Sequence, residues 1–375
     1  MNRNARFLVF SGAAFLISVA LACIPKERDK ALEVVWDVAC DNIGYPQALA
    51  ADDGNVYVLG TKMIRAYDSD GNPLWSKPLN DSISGRGLAL DKDYLYVVGN
   101  KENPDSIWMA RLDVSSGDSL WVASFGDPSG WIEANDICVR GLYVYAAGKV
   151  GGTIATDFLI LERDKTLGVC SYQWRINESD DGSEELLVSI TSDNTSIYAT
   201  GHVLFYYGWT LKIPIEPHEP GWPVQWGVKY DSPYIDNMSD IAADESGNSY
   251  VVGETNTASS REAVIVKYNS AGMQQWYKSL EYDSASASFF AVKLDDSGYV
   301  YAAGLGYDKE DSVTNMLVCK FNTSGEMLWQ YRYEKSYESY AVDLAIVGED
   351  VYVLMGTGSG SSVVKFKNFY TQDSD

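Results

Sequence analysis

Residues 239–276 read SDIAADESGNSYVVGETNTASSREAVIVKYNSAGMQQW. Four short runs rich in β-branched and aromatic residues are separated there by Gly, Asn and Ser, the pattern of strands joined by turns. The runs are 240–244, before Ser246-Gly247-Asn248; 249–252, closed by Gly253; 263–268, before a turn through Gly272; and a fourth centred on Trp276. The unit recurs. A fourth-run tryptophan falls at Trp36, Trp75, Trp121, Trp174, Trp226, Trp276 and Trp329. The second run ends Tyr-x-x-Gly at Tyr57/Gly60, Tyr96/Gly99, Tyr145/Gly148, Tyr198/Gly201, Tyr250/Gly253 and Tyr301/Gly304, and a seventh copy, Tyr352 to Gly356, is one residue longer. Two independent markers therefore count seven units. One four-stranded sheet cannot bury both its faces, but sheets stacked in a ring can, and a four-stranded repeat of about 40–50 residues is a propeller blade. The sequence predicts an all-β, seven-bladed β-propeller with four-stranded antiparallel blades.

The chain ends complement each other. Residues 32–39 contain Trp36 with no earlier strand, whereas 340–369 supply three strands and stop without a tryptophan. The expectation is that 32–39 is the outer strand of the last blade, closing the ring and removing a free sheet edge. The blades between fall at 47–79, 87–125, 135–176, 185–230, 240–282 and 290–333. The fourth departs most: residues 213–221 replace its tight turn, and Pro214, Pro217 and Pro220 exclude a regular inner strand there.

Residues 1–22 have the form of a targeting segment, with Arg3 and Arg6 ahead of an apolar run from Phe7 and a small-residue end at Ala20-Leu21-Ala22. Residues 23–31 form a polar tether, 32–369 the propeller, and 370–375 an acidic tail. The chain carries 52 acidic against 29 basic residues, a net charge of −23, with no basic stripe. That balance disfavours nucleic acid and acidic lipid surfaces as partners of the body, and suits solubility.

Ala20-Leu21-Ala22-Cys23 resembles a bacterial lipobox, which implies that Cys23 becomes the lipidated first residue of a protein of the bacterial cell envelope, with Ile24 at the next position favouring the outer membrane. Residues 242–255, AADESGNSYVVGET, resemble the SBBP-type bacterial β-propeller repeat, and Asp113-Val114-Ser115-Ser116-Gly117-Asp118-Ser119-Leu120-Trp121 is similar to the PQQ-type repeat, Asp-x-x-x-Gly-x-x-x-Trp. Both resemblances imply a propeller and carry no activity, because such scaffolds serve many functions. The Gly-x-x-x-Trp spacing differs from a sialidase Asp-box, and no blade has the Trp-Asp dipeptide of WD repeats.

The chemistry-bearing residues are sparse. His202 and His218 are the chain's two histidines, and neither accompanies a Gly-x-Ser-x-Gly turn, so no catalytic triad and no zinc site is expected. His202 begins the loop after Gly201 and is expected either to stand in solvent or to face a ligand. His218, among prolines, is expected to be exposed. Asp68-Ser69-Asp70-Gly71-Asn72 opens like a calcium loop, but its Gly is early and its twelfth position is Leu79, so a polar hairpin turn is expected. No cofactor is expected, since neither a quinone cage nor metal ligands can be found. Cys138 and Cys170, in one blade, are the one pair considered for a disulfide, with buried free thiols as the alternative. The repeat tryptophans are expected to pack blade on blade. Lys293 and Asp343 are expected to meet near the channel. A partner is expected on the disc face where the blade-to-blade connections collect, through Trp131, His202, Tyr206, Tyr207, Tyr234, Tyr282 and Tyr337, as protein or glycan contacts; the alternative is that these aromatics cap the blade ends. The leading expectation is thus a lipid-anchored binding or scaffold module, and the alternative is a glycan lyase or hydrolase using carboxylates at the channel mouth.

Overall fold

The computed structural model describes residues 32–102, 105–127, 130–152, 155–177, 183–203, 207–215, 224–230, 236–257, 260–280, 286–309, 312–335 and 338–368. They form 28 strands in seven four-stranded antiparallel sheets, in which strands adjacent in sequence pair within each sheet, apart from the first strand, which pairs with the last. Inner strands pack on inner strands around the ring, and each seam between blades is a separate cluster of buried Val, Ile, Leu and Tyr. The blades span residues 46–78, 83–125, 131–176, 185–230, 236–280, 287–333 and 339–368, numbered 1 to 7 below.

The seventh blade closes as expected. Strand β1 (Leu32–Ala39) pairs antiparallel with β28 (Gly360–Asn368), placing Trp36 opposite Lys365 and Val38 opposite Val363. The first and last strands thus meet inside one sheet, which ties the ring shut.

Every inner strand has a β-bulge at one level, for example between Met238 and Asp240 in β18 (Asp236–Ala243) and between Phe289 and Ala291 in β22 (Ala287–Leu294). The glycine of Tyr-x-x-Gly lies opposite the bulge. A Cβ on Gly253 would fall 2.0 Å from the Asn237 carbonyl oxygen, so the repeat keeps Gly because the bulged backbone leaves no room for a side chain. In blade 7 the residue opposite the bulge is Met355, paired with Ala341; Gly356 lies one position on, under the Tyr340 ring. The longer seventh copy is therefore a shifted glycine.

The tryptophans lock one blade to the next. Trp36, Trp75, Trp121, Trp226 and Trp276 donate Nε1–H to the carbonyls of Ser69, Val114, Lys165, Ser270 and Thr323, at 2.8–3.1 Å, each in the outer hairpin of the following blade. The glycine of that hairpin, at φ near +80° in Gly71, Gly272 and Gly325, lies against the incoming indole. Gly-x-x-x-Trp is therefore a two-ended device: the Gly receives the previous blade's Trp, and its own Trp enters the next hairpin. Asp68 caps such a hairpin by accepting from the N–H groups of Asp70 and Asn72, as a polar turn rather than a calcium loop.

Two expectations need correction, and the open choice between a disulfide and free thiols at Cys138 and Cys170 is decided for free thiols. In blade 3 the residue opposite Glu162 is Tyr172, where Trp226 and Trp276 stand opposite Lys212 and Lys267; Trp174 lies two positions on, stacked on Tyr172 at 5.8 Å. Spacing alone missed this because Gly168-x-x-x-Tyr172 keeps the motif with a different aromatic. Cys138 and Cys170 are free thiols. They sit on the first and fourth strands of one sheet, three strand spacings of about 4.8 Å apart, far beyond disulfide reach. Blade 4 keeps all four strands: β16 (Tyr207–Pro214) runs in register to Pro214, and the inner strand β14 (Glu185–Ser192) pairs along its length with the same single bulge as the other blades, between Leu187 and Ser189. Pro214 closes a strand end where no further ladder bond is needed.

Candidate functional site

The hairpins that hold the latches lie on one face of the disc. The opposite face carries the connections between blades, and the described candidates lie there. Trp131 begins β10 (Trp131–Arg140), Lys149 is near the end of β11 (Tyr143–Gly151), His202 is near the end of β15 (Ser196–Val203), and Tyr207 begins β16. Cys23, Tyr206, Tyr234, Tyr282, Tyr337 and His218 lie outside the described residues.

Two of the candidates share one cluster at the seam of blades 3 and 4. The Lys149 ammonium lies 4.6 Å from the centre of the Trp131 ring, 3.8 Å from Glu133 and 2.5 Å from Glu184. Trp131 remains 40% exposed, while Lys149 is 7% exposed. The cation is thus held under an aromatic surface that still faces outward. His202 is coupled electrostatically to both Glu184 and Lys149. It lies in a strand, not a loop, and its Nδ1 is buried without a hydrogen-bond partner among the described residues. Burial pushes its imidazolium below the ordinary range, Lys149 adds to that, and Glu184 opposes it. Tyr207 stands in a second group, with the Lys229 ammonium 3.6 Å from its ring centre and Trp209 at 6.0 Å. Sequence reasoning missed Lys149, Glu133 and Glu184, because no motif marks them: Glu133 meets Lys149 across paired strands of blade 3, and Glu184 is brought to it by the stacking of blades.

The channel holds the other concentration of charge. Lys293 Nζ lies 3.4 Å from Asp343 and 3.2 Å from Asp240, so the expected Lys293–Asp343 contact is present, with Asp240 as a second partner. Burial works against the Lys293 charge, but Asp240, Asp343 and Asp136 outweigh it and hold the ammonium above its usual range. Burial, then the Asp240 carboxylate, push Asp136 up to about 7; burial also raises Asp343, against the pull of Lys293. The aspartates are occupied by the fold. Asp136, Asp240 and Asp343 accept from the backbone N–H of Ile190, Val292 and Leu49, each in the next blade, at 2.7–2.9 Å. Among the described residues, no group of three or more His, Cys, Asp or Glu side chains is arranged to hold a metal ion.

This ring of latched four-stranded sheets defines a β-propeller. Residues 225–259 match the beta-propeller repeat family SBBP, and residues 31–158 match the family of outer membrane protein assembly factor BamB, of the PQQ-like type. The chain is therefore a β-propeller in which one segment is similar to the SBBP repeat and another to the PQQ-like type. No curated protein matches it. Similar solved structures include the mitotic checkpoint complex, at TM-score 0.63 and 11% identity over 98% of this chain and 100% of that one. Hydrazine synthase of Kuenenia stuttgartiensis has TM-score 0.61 and 13% identity, over 87% and 96%. The Dos1 propeller has TM-score 0.54 and 13% identity, over 84% and 75%. At such identities the likeness is one of fold alone.

Proposed function

We propose that the protein is a binding and scaffold module of the bacterial cell envelope, anchored by a lipid on Cys23 and engaging a protein or glycan through its connection face. The observation that carries this reading is the cluster at blades 3 and 4: exposed Trp131 on a rim of Lys149, Glu133, Glu184 and His202. An aromatic anchor beside pre-paired charges suits recognition, because the polar groups are already ordered before the partner arrives. The match of residues 31–158 to an outer membrane protein assembly factor supports a role in holding other proteins and a periplasmic site at the outer membrane. The alternative, a carboxylate-dependent glycan lyase or hydrolase, has less in its favour, since the channel aspartates spend their oxygens on the backbone of neighbouring blades.

Capture of membrane components by the anchored protein tests the reading. Trp131→Ala is expected to lose the captured partner at unchanged thermal stability. Leu142→Ala, at the exposed tip of a hairpin on the opposite face, is expected to retain it. Equal capture by both variants refutes the assignment of the face.

A further inference from the structure

A row of polar side chains crosses the inner strands of blades 3 to 7. Ser189 Oγ lies 2.9 Å from Asp136 Oδ2 and 2.6 Å from Asp240 Oδ1. A hydroxyl has one proton to donate. It cannot serve two ionised carboxylates at once, so the second short contact requires a proton on a carboxyl group. Asp240 has a counter-ion, Lys293, at 3.2 Å, and also accepts from Val292 N–H at 2.7 Å. Asp136 has no cation at ion-pair distance among the described residues; it accepts from the N–H groups of Ile137 and Ile190, and its remaining polar contact is the Ser189 hydroxyl oxygen. The proton therefore belongs on Asp136. The row then runs from the Asp136 acid to Ser189, from the Ser189 hydroxyl to Asp240, through Lys293 to Asp343, and from Asp343 to Leu49 N–H in blade 1.

We propose that this row is a pH-gated clamp: one acid proton shared by Asp136, Ser189 and Asp240 closes the seams of blades 3, 4 and 5, and its departure loosens them. The surroundings of Asp136 are consistent with this. The inner strand of blade 2 brings Gly87 against its backbone, β11 places Ala147 opposite, and β14 brings Ser189 and Ile190. Blade 5 contributes the Asp240 carboxylate and blade 6 the Lys293 ammonium, while the strand of Asp136 adds Cys138, a thiol that burial holds in its protonated form and that an ionised Asp136 would hold there further. The folded ring favours the acid form of Asp136 over the unfolded chain, in which it ionises near the ordinary carboxyl value. The stabilisation is therefore complete at acid pH and is lost as pH rises through about 7. When the proton leaves to a solvent base, two carboxylates bracket one hydroxyl and repel each other.

Infrared titration of the carboxyl C=O band, with thermal unfolding at matched pH, tests the clamp. Between pH of about 6 and 8 the wild-type protein is expected to lose one buried acid band and a few degrees of melting temperature. Asp136→Asn supplies an amide donor that does not titrate, and is expected to lack the band and to remove that part of the pH dependence. Asp240→Asn is expected to move the titration to lower pH, because the neighbouring carboxylate is gone; it decides the matter even where Asp136→Asn does not fold. No such band at pH 6, an identical pH slope in Asp136→Asn, or an unshifted titration in Asp240→Asn overturns the proposal.

Discussion

The seam between blades 5 and 6 and the seam between blades 6 and 7 solve one packing problem in two ways. At the first, Trp276 Nε1 and Lys267 Nζ both donate to the Thr323 carbonyl, at 3.1 and 3.2 Å, and the indole lies on Gly325. At the second, Trp329 occupies the equivalent position, 0% exposed, yet its Nε1 has no hydrogen-bond partner among the described residues. The reason is topological. The outer hairpin of blade 7 would supply the acceptor, but there the third and fourth strands are the two ends of the chain. Closing the ring with the termini removes one latch. Other contacts take its place: Tyr331 and Tyr333 pack edge-on against Phe366 at 5.4 and 5.6 Å, Asp37 accepts from the Tyr333 hydroxyl and pairs with Lys335, and Lys293 meets Asp343 at the channel. A repeat protein thus need not repeat its seams; the seam at the chain ends is built from residues that the repeat does not specify.

The largest expected effect comes from deleting residues 32–39. That exposes β28 along its whole edge and is expected to abolish the single cooperative unfolding transition in calorimetry. An unchanged transition would show that the ring does not depend on its closing strand. Next are the hairpin glycines. Gly325→Ala puts a Cβ 2.7 Å from the Trp276 ring at φ +80°, and is expected to cost about 3 kcal/mol. Gly348→Ala, at φ +58° with open space around it, is expected to cost about 1 kcal/mol. Chemical denaturation measures both, and equal costs would mean that the latch contributes no steric constraint.

A finer test replaces only the indole N–H. Benzothienylalanine, in which sulfur stands for that group, is expected to destabilise by about 1 kcal/mol at position 276. At position 329, where no acceptor exists, it is expected to be neutral or stabilising; a matching loss at both sites would remove the distinction between the seams. The smallest effect concerns His202. Its imidazolium is held below the usual value in the folded state, so its contribution is present above about pH 6.5 and is lost as pH falls below that. His202→Gln is expected to flatten the acid side of the stability profile slightly, and an unchanged profile would show that the ring is solvated.

The recurrence of Trp and Tyr-x-x-Gly determined the blade count, the strand order and the closing strand, because each marker answers a local steric demand in most blades: a glycine opposite the bulge in six, and an indole that donates into the next hairpin in five. Where a blade keeps the role and changes the residue, as at Tyr172 and Met355, letter patterns were not enough, and strand register was needed. Of the candidate aromatics within the described residues, Trp131 and Tyr207 were legible as connection-face residues because one follows the fourth strand of a blade and the other begins a third strand. Their partners were not. Lys149, Glu133 and Glu184 come from different strands, and Asp136, Ser189 and Asp240 come from three blades more than fifty residues apart at each step. Sequence determines local geometry through sterics and hydrogen bonding within a blade. Which charges face one another is decided only when blades stack, because the inner strands are brought to van der Waals distance by the closure of the ring and by nothing nearer in the chain.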